Sequence, residues 1–150
     1  LPVAGNLRWS ALAAGWLRTC GLATDHNVYC WGLPHWQDPR GSSSVPLSIG
    51  TGIPEFASLT QGWQGTTCGI TLLGEAWCWG LLIGENGYYS EVPVRVAQGI
   101  SFAELSVGEG HMCGFTTGKE LYCWGYNETG AVGLGTLEFH YGLPQLVRLP

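Results

Sequence analysis

Charge is scarce in this sequence, and positive charge is scarcer still. Only 11% of its 150 residues are Asp, Glu, Lys or Arg, against about 25% in an ordinary soluble domain. The six basic residues, Arg8, Arg18, Arg40, Arg95, Lys119 and Arg148, are scattered, and the formal net charge is −5. A nucleic-acid backbone is neutralised by a basic patch; with none present, no nucleic-acid partner is expected. No apolar run reaches about 18 residues, so no membrane insertion by a spanning helix is expected. There is no G-x-S-x-G elbow, phosphate-binding loop or H-E-x-x-H. "GLGT" at 133–136 is a turn fragment, since a glycine-rich loop cradles phosphate only with a helix behind it. The four histidines and eleven carboxylates do not recur as a spaced pair. No nucleophile, base or metal site can be assembled, so neither an enzyme nor a cofactor is expected. No signal peptide is visible and the chain opens at Leu1, which reads as a processed mature chain or a piece of a longer one.

Glycine and tryptophan are abundant: 24 and 8 residues. With so few charges, this composition suggests short strands and tight turns rather than amphipathic helices. The cysteines reveal internal repetition. Cys20 and Cys30, Cys68 and Cys78, and Cys113 and Cys123 are each ten apart, and the copies recur after 48 and then 45 residues. Gly15, Gly62 and Gly108 precede each first cysteine, and Gly21, Gly69 and Gly114 follow it. Trp31-Gly32, Trp79-Gly80 and Trp124-Gly125 close each hairpin, and Trp9, Phe56 and Phe102 open each unit. A proline strand follows each hairpin, in "VPLSI", "VPVRV" and "LPQLV".

Each unit reads as four short strands; in the third these are "FAELSV", "MCGFTT", "ELYCWG" and "PQLVRL". The two cysteines lie symmetrically about a hairpin turn, centred near Asp25, Leu73-Gly74 and Gly118. They can therefore face each other across an antiparallel pair, where Cα atoms lie about 4.5–5.5 Å apart. Three disulfides are predicted: Cys20–Cys30, Cys68–Cys78 and Cys113–Cys123. Buried free thiols are the plain alternative. Metal half-sites fit worse, because no C-x2-C pair occurs and the histidines are out of register with the cysteines. Disulfides imply an oxidising compartment, hence a secreted or surface protein.

Four-stranded units with a period near 45 residues point to β-propeller blades. The third copy, "LSVGEGHMCGFTTGKELYCWGYNETGAVGLGT", resembles the repeat of the regulator of chromosome condensation family at Gly108, His111, Trp124, Gly125, Asn127, Gly130 and Gly133. The paired cysteines and Cys-Trp-Gly look like secreted members, especially bacterial ones. Copies one and two lose the Asn and most loop glycines, and carry Arg18 and Thr66 where copy three has His111. The resemblance implies an all-β fold of three four-stranded antiparallel blades, in a partial propeller or arc. Residues 9–55, 56–101 and 102–150 would be the blades, and 1–8 the end strand of a preceding one. His111 is expected to be a hydrogen-bonded blade residue, and Trp31, Trp79 and Trp124 to be blade core.

A blade cannot bury both faces alone, and propellers take four to eight blades. Three blades imply a segment of a longer propeller, a ring closed by self-assembly, or a filament. "LPVAG" resembles the proline strands, giving four of these to three hairpins. A ring of identical arcs would then carry one strand too many, which favours the longer chain.

Binding is expected at loops and at aromatic residues, which anchor interfaces. The candidates are Trp16 and Trp63, beside Gly15 and Gly62, and Trp36, Tyr88, Tyr89, Phe139, His140 and Tyr141 in the connections after Cys-Trp-Gly. The plain alternative is that they pack under the loops. Asn127 heads an "NET" sequon on a turn expected to be exposed, a candidate for glycosylation; the family repeat also has Asn there for the turn itself. The resulting expectation is a secreted propeller segment that binds a protein through its loop face. Lectin-like binding of glycans, or a structural role in a fibre or coat built from copies of itself, are the alternatives. The family's known activities, such as nucleotide exchange or β-lactamase inhibition, are not carried over, because their contacts cannot be matched residue by residue.

Overall fold

The computed structural model describes residues 3, 6–33, 41–63, 65–82 and 88–148. Among these it contains twelve strands in three separate antiparallel sheets and no helix. The first sheet holds β1 (Trp9–Ala14), β2 (Arg18–Ala23), β3 (Val28–Gly32) and β4 (Ser43–Ser48). The second holds β5 (Phe56–Gln61), β6 (Thr67–Thr71), β7 (Ala76–Leu81) and β8 (Tyr89–Val96). The third holds β9 (Phe102–Val107), β10 (His111–Thr116), β11 (Leu121–Tyr126) and β12 (His140–Val147). Strand order within each sheet follows chain order. Neighbouring sheets meet along β1, β5 and β9, so these are the inner strands of an open fan and the proline strands β4, β8 and β12 are its outer edge. Proline lacks an N–H to donate, so an edge strand is where a sheet accepts it. Most of "LPVAG", the expected end strand of a preceding blade, lies outside the described residues.

The three disulfides are formed, each between directly opposed residues of a hairpin. The Cα separation is 4.1 Å in every case, closer than the cross-strand spacing expected from sequence. Immediately after each second cysteine the pairing with the outer strand shifts register, between Cys30 and Gly32, Cys78 and Gly80, and Cys123 and Gly125. The tryptophan sits at this bulge, and the glycine after it has φ of 99°, 86° and 107°. An L side chain is disfavoured there. The repeated Cys-Trp-Gly is therefore a bridge, a bulge and the residue that permits the bulge.

At the bulge, Trp79 and Trp124 each face the preceding sheet. Phe56 and Trp79, with ring centroids 5.7 Å apart, join Cys20, Leu22, Val28, Cys30 and Ile49 of the first sheet in one buried cluster. Phe102 and Trp124, 5.9 Å apart, do the same against Cys68, Ile70, Ala76 and Cys78 of the second. The core thus lies between sheets and is made twice by the same residue types, as stacked repeats require. Gly69 lets the Phe56 ring lie flat on the sheet; a Cβ there would come within 2.4 Å of Phe56 Cδ1.

Trp31 departs from expectation. It is half-buried, whereas Trp79 and Trp124 are buried. It stacks with Trp9 at 5.5 Å, as Trp79 does with Phe56, but no preceding sheet among the described residues covers the pair.

Candidate binding face

In an antiparallel sheet of this order, the turn between the first and second strands leaves from the same end as the connection between the third and fourth. The second-to-third turn and the link to the next sheet leave from the opposite end. The sheets are stacked in the same sense. At one end, an added Cβ on Gly15 would lie 2.9 Å from the Gly62 carbonyl, and one on Gly62 would lie 2.4 Å from the Gly108 carbonyl. At the other, the Phe102 N–H donates to the Gly74 carbonyl at 2.8 Å. The first is here called the loop end and the second the hairpin end. Topology therefore brings the seven candidate residues that lie among the described residues to the loop end.

Their surroundings differ. Trp16 and Trp63 are 63% and 50% exposed, and their rings pack 5.2 Å apart at 42°. The glycines before them allow this, because only bare backbone lets adjacent turns approach so closely. The Gln61 side-chain nitrogen donates to the carbonyls of Ala13 and Arg18, at 2.9 and 3.2 Å, which ties the inner strand of the second sheet to the Trp16 turn. Trp16, Trp63 and Glu109 of three successive turns line one open cavity of about 380 Å³.

Phe139 and His140 gather around Tyr126, with centroids 5.5 and 5.2 Å from its ring. Phe139 is exposed and His140 half-buried. Tyr126, 53% exposed, was not singled out from sequence; its position directly after Cys-Trp-Gly, at the loop end of β11, was the available signal. Tyr88 is exposed and lines a separate cavity of about 520 Å³ between the outer parts of the second and third sheets, with Leu82, Arg95, Trp124 and Leu143. Tyr89 and Tyr141 are half-buried. Tyr141 pairs its hydroxyl with Thr136 Oγ1 at 2.6 Å and packs against the core, which fits the packing role better than a binding one. Trp36 lies outside the described residues.

One further expectation changes. Asn127 is fully buried, not exposed. Its Nδ2 donates to the Thr136 carbonyl and its Oδ1 accepts from the Val132 N–H, both at 3.0 Å. A glycan would need that same nitrogen in solvent, so the asparagine serves the loop. His111 takes part in the turn through its backbone carbonyl, which accepts from the Gly108 N–H at 2.9 Å, while its ring lies over Gly108. Among the described residues no group of three or more His, Cys, Asp or Glu could hold a metal ion, and no helix is long and apolar enough to cross a membrane.

Residues 9–35 and 102–131 each match the regulator of chromosome condensation (RCC1) repeat. These are repeats of the RCC1 type. The ultraviolet-B receptor UVR8 of Arabidopsis thaliana is 29% identical over 157 aligned positions, covering 97% of this chain and 35% of the receptor. Human WBSCR16 superposes with a TM-score of 0.83 at 20% identity, over 99% of this chain and 42% of that one. Yeast RCC1 (Prp20), in its structure bound to Kap60, superposes at 0.75 with 18% identity, over 95% and 37%. These structural likenesses show the fold. The chain spans little more than a third of UVR8, and among the described residues its three four-stranded sheets resemble RCC1 propeller blades and are not closed into a ring.

Proposed function

We propose that the chain is a protein-binding module that docks its partner on the loop end of the fan. One observation carries this: the exposed aromatic residues Trp16, Trp63, Tyr88, Tyr126 and Phe139 are delivered to a single end by strand order. Exposed rings on a rigid, bridged scaffold lose little conformational freedom on binding and are the residues that dominate interfaces. Yeast RCC1, which shares the fold, is itself bound to a protein, Kap60. The three disulfides support a secreted or surface location, since such bridges persist in oxidising compartments.

The test is photocrosslinking in the cells that make the protein. A photoreactive benzoylphenylalanine replaces Tyr126 at the loop end or, separately, Leu73 at the hairpin end, where it is 80% exposed. A discrete protein adduct, in the extracellular fraction, is expected from position 126 and not from 73. Adducts from 73 alone would overturn the reading.

A second reading rests on a different observation, the exposed apolar residues on the outward faces of the end sheets. Trp31 and Leu12 on the first and Phe115 and Leu121 on the third are at least partly open, and would serve blade-to-blade stacking in a larger assembly. Sedimentation that depends on concentration would favour it. A glycan-binding role is the third reading, resting on the Trp16–Trp63 ledge.

A further inference from the structure

We infer that the ledge formed by Trp16 and Trp63 is a receptor for proline, and that the protein partner lays a proline-rich segment in the polyproline II conformation across it. This rests on the protein-binding reading above and specifies its chemistry. Two features of the ledge, its hydrogen-bonding groups and its shape, converge on that ligand.

The ledge offers donors and withholds acceptors. Its two indole rings are 63% and 50% exposed, and among the described residues no group accepts a hydrogen bond from either indole N–H. An indole nitrogen is a donor only. The main-chain groups beside the rings are already in use. The N–H groups of Gly15, Gly62 and Gly108 donate to the carbonyls of Arg18, Thr66 and His111, at 2.9, 2.8 and 2.9 Å. The carbonyls of Gly62 and Gly108 lie against Gly15 and Gly62 of the preceding turns. The Gln61 side-chain nitrogen is held by the Ala13 and Arg18 carbonyls, and Glu109 is engaged within the chain. The matching ligand brings acceptors and no donors that burial would strand. Proline is the residue that does this: its carbonyl accepts, and it has no N–H. A sugar brings a donor with every hydroxyl, and a guanidinium brings donors alone.

The shape agrees with the chemistry. The rings meet at 42° with centroids 5.2 Å apart, and Ala14 and Val107 add apolar walls to the open cavity of about 380 Å³. Aromatic-lined grooves are what proline-rich segments dock into. One turn of polyproline II is three residues long and rises about 9 Å, enough to span two adjoining rings. Such a segment is stiff before it binds, and the ledge is fixed by the glycine contacts and the Gln61 bonds. Little conformational freedom is therefore lost on either side.

The experiment is an NMR titration of the whole chain, labelled with nitrogen-15, with acetylated decaproline. The readout is the indole N–H resonances of Trp16 and Trp63, and a Gly-Ser decapeptide is the comparison. Both resonances are expected to move downfield and saturate, with an affinity about tenfold tighter than for the Gly-Ser peptide. Added salt should leave that affinity unchanged, because no charge takes part. Trp16→Ala and Trp63→Ala should each weaken binding about fivefold or more. Trp16→Phe combined with Trp63→Phe keeps two aromatic faces and removes both donors, and should weaken binding about threefold or more. Leu73→Ala, at the hairpin end, should leave it unchanged. Equal binding of the Gly-Ser peptide, binding that survives both alanine substitutions, or full affinity in the double phenylalanine variant overturns the inference. So does a shift of these resonances by chitohexaose with none by decaproline, which would assign the ledge to glycans. If decaproline fails while crosslinking at position 126 still yields its adduct, only the proline chemistry falls. Loss of both removes the protein-binding reading with it.

Discussion

Phe115 holds in the third sheet the place that Ile70 holds in the second, two residues beyond the first cysteine of the bridge, yet it is 47% exposed where Ile70 is 5% exposed. The local structure is the same in both. What differs is the neighbour: Phe102 and Trp124 cover Ile70, and no further sheet among the described residues covers Phe115. Truncation should read out this difference. Ile70→Ala is expected to cost about 2–5 kcal/mol, the usual range for emptying a packed site, and Phe115→Ala about 1 kcal/mol or less. Urea unfolding of the two variants checks it, and equal costs would mean that the face bearing Phe115 is covered in solution.

The same asymmetry governs the bridges. Cys68 and Cys78 are fully buried, whereas Cys113 is half-buried on the open face. A thiolate must reach a sulfur to reduce a disulfide. Timed treatment with dithiothreitol, followed by alkylation and peptide mapping, should find Cys113–Cys123 reduced first and Cys68–Cys78 last. Each bridge closes a hairpin loop, so replacing one pair by alanine should cost about 2.5–3 kcal/mol in the chain-entropy model.

Gly69 is a space requirement. A methyl group there meets the Phe56 ring at 2.4 Å, and overpacking of this kind costs about 1–3 kcal/mol. Gly69→Ala should fall in that range, and Phe56→Leu in the same chain should recover part of it. A double-mutant cycle showing strict additivity would mean that the two positions do not touch.

Asp25 provides a pH dependence with a defined sign. Its Oδ1 accepts the Asn27 N–H at 3.0 Å, and that backbone bond, helped by the Asn27 and Tyr29 side chains, holds the carboxyl below its ordinary range. The ionised form is therefore the one favoured by the folded turn. Its contribution is complete above the unfolded-state pKa of about 3.9 and is lost as pH falls through the lower folded value. An NMR titration should place the Asp25 midpoint below that of ordinary aspartate, and Asp25→Asn should abolish this part of the acid dependence.

Asn127 should behave as a structural residue. Expression through a eukaryotic secretory pathway should give folded protein without a glycan at this sequon, by intact mass. Asn127→Ala leaves the buried Val132 N–H without its partner, at a cost of about 1–3 kcal/mol, while the part-buried Thr136 carbonyl can turn to water.

The contrast among these residues shows what could be read from the sequence. The hairpins, the bridges and the four-strand unit were legible because each is set by residues within about 45 positions of one another, repeated three times with the same spacing. Gathering the candidates at one end was implicit in that strand order. The burial of Asn127 and the exposure of Trp31 were not legible. Trp31 has the local sequence of its counterparts, whereas Asn127 has no counterpart in the other two copies; the environment of each is set by what packs over it. Tyr126 was missed for the same reason, because its partners Phe139 and His140 are returned to it by a thirteen-residue connection.

The repeated interface has a consequence for how such chains change length. The first sheet presents an aromatic pair, Trp9 and Trp31, at its outward side, and the third presents a bridged hairpin with Phe115 and Leu121. If the middle unit were removed from the gene, Phe102 and Trp124 would meet Cys20–Cys30, Leu22 and Val28, a surface of the same chemistry as the one they now cover. Unequal recombination between units would therefore add or subtract whole blades while keeping the same chemistry at every junction.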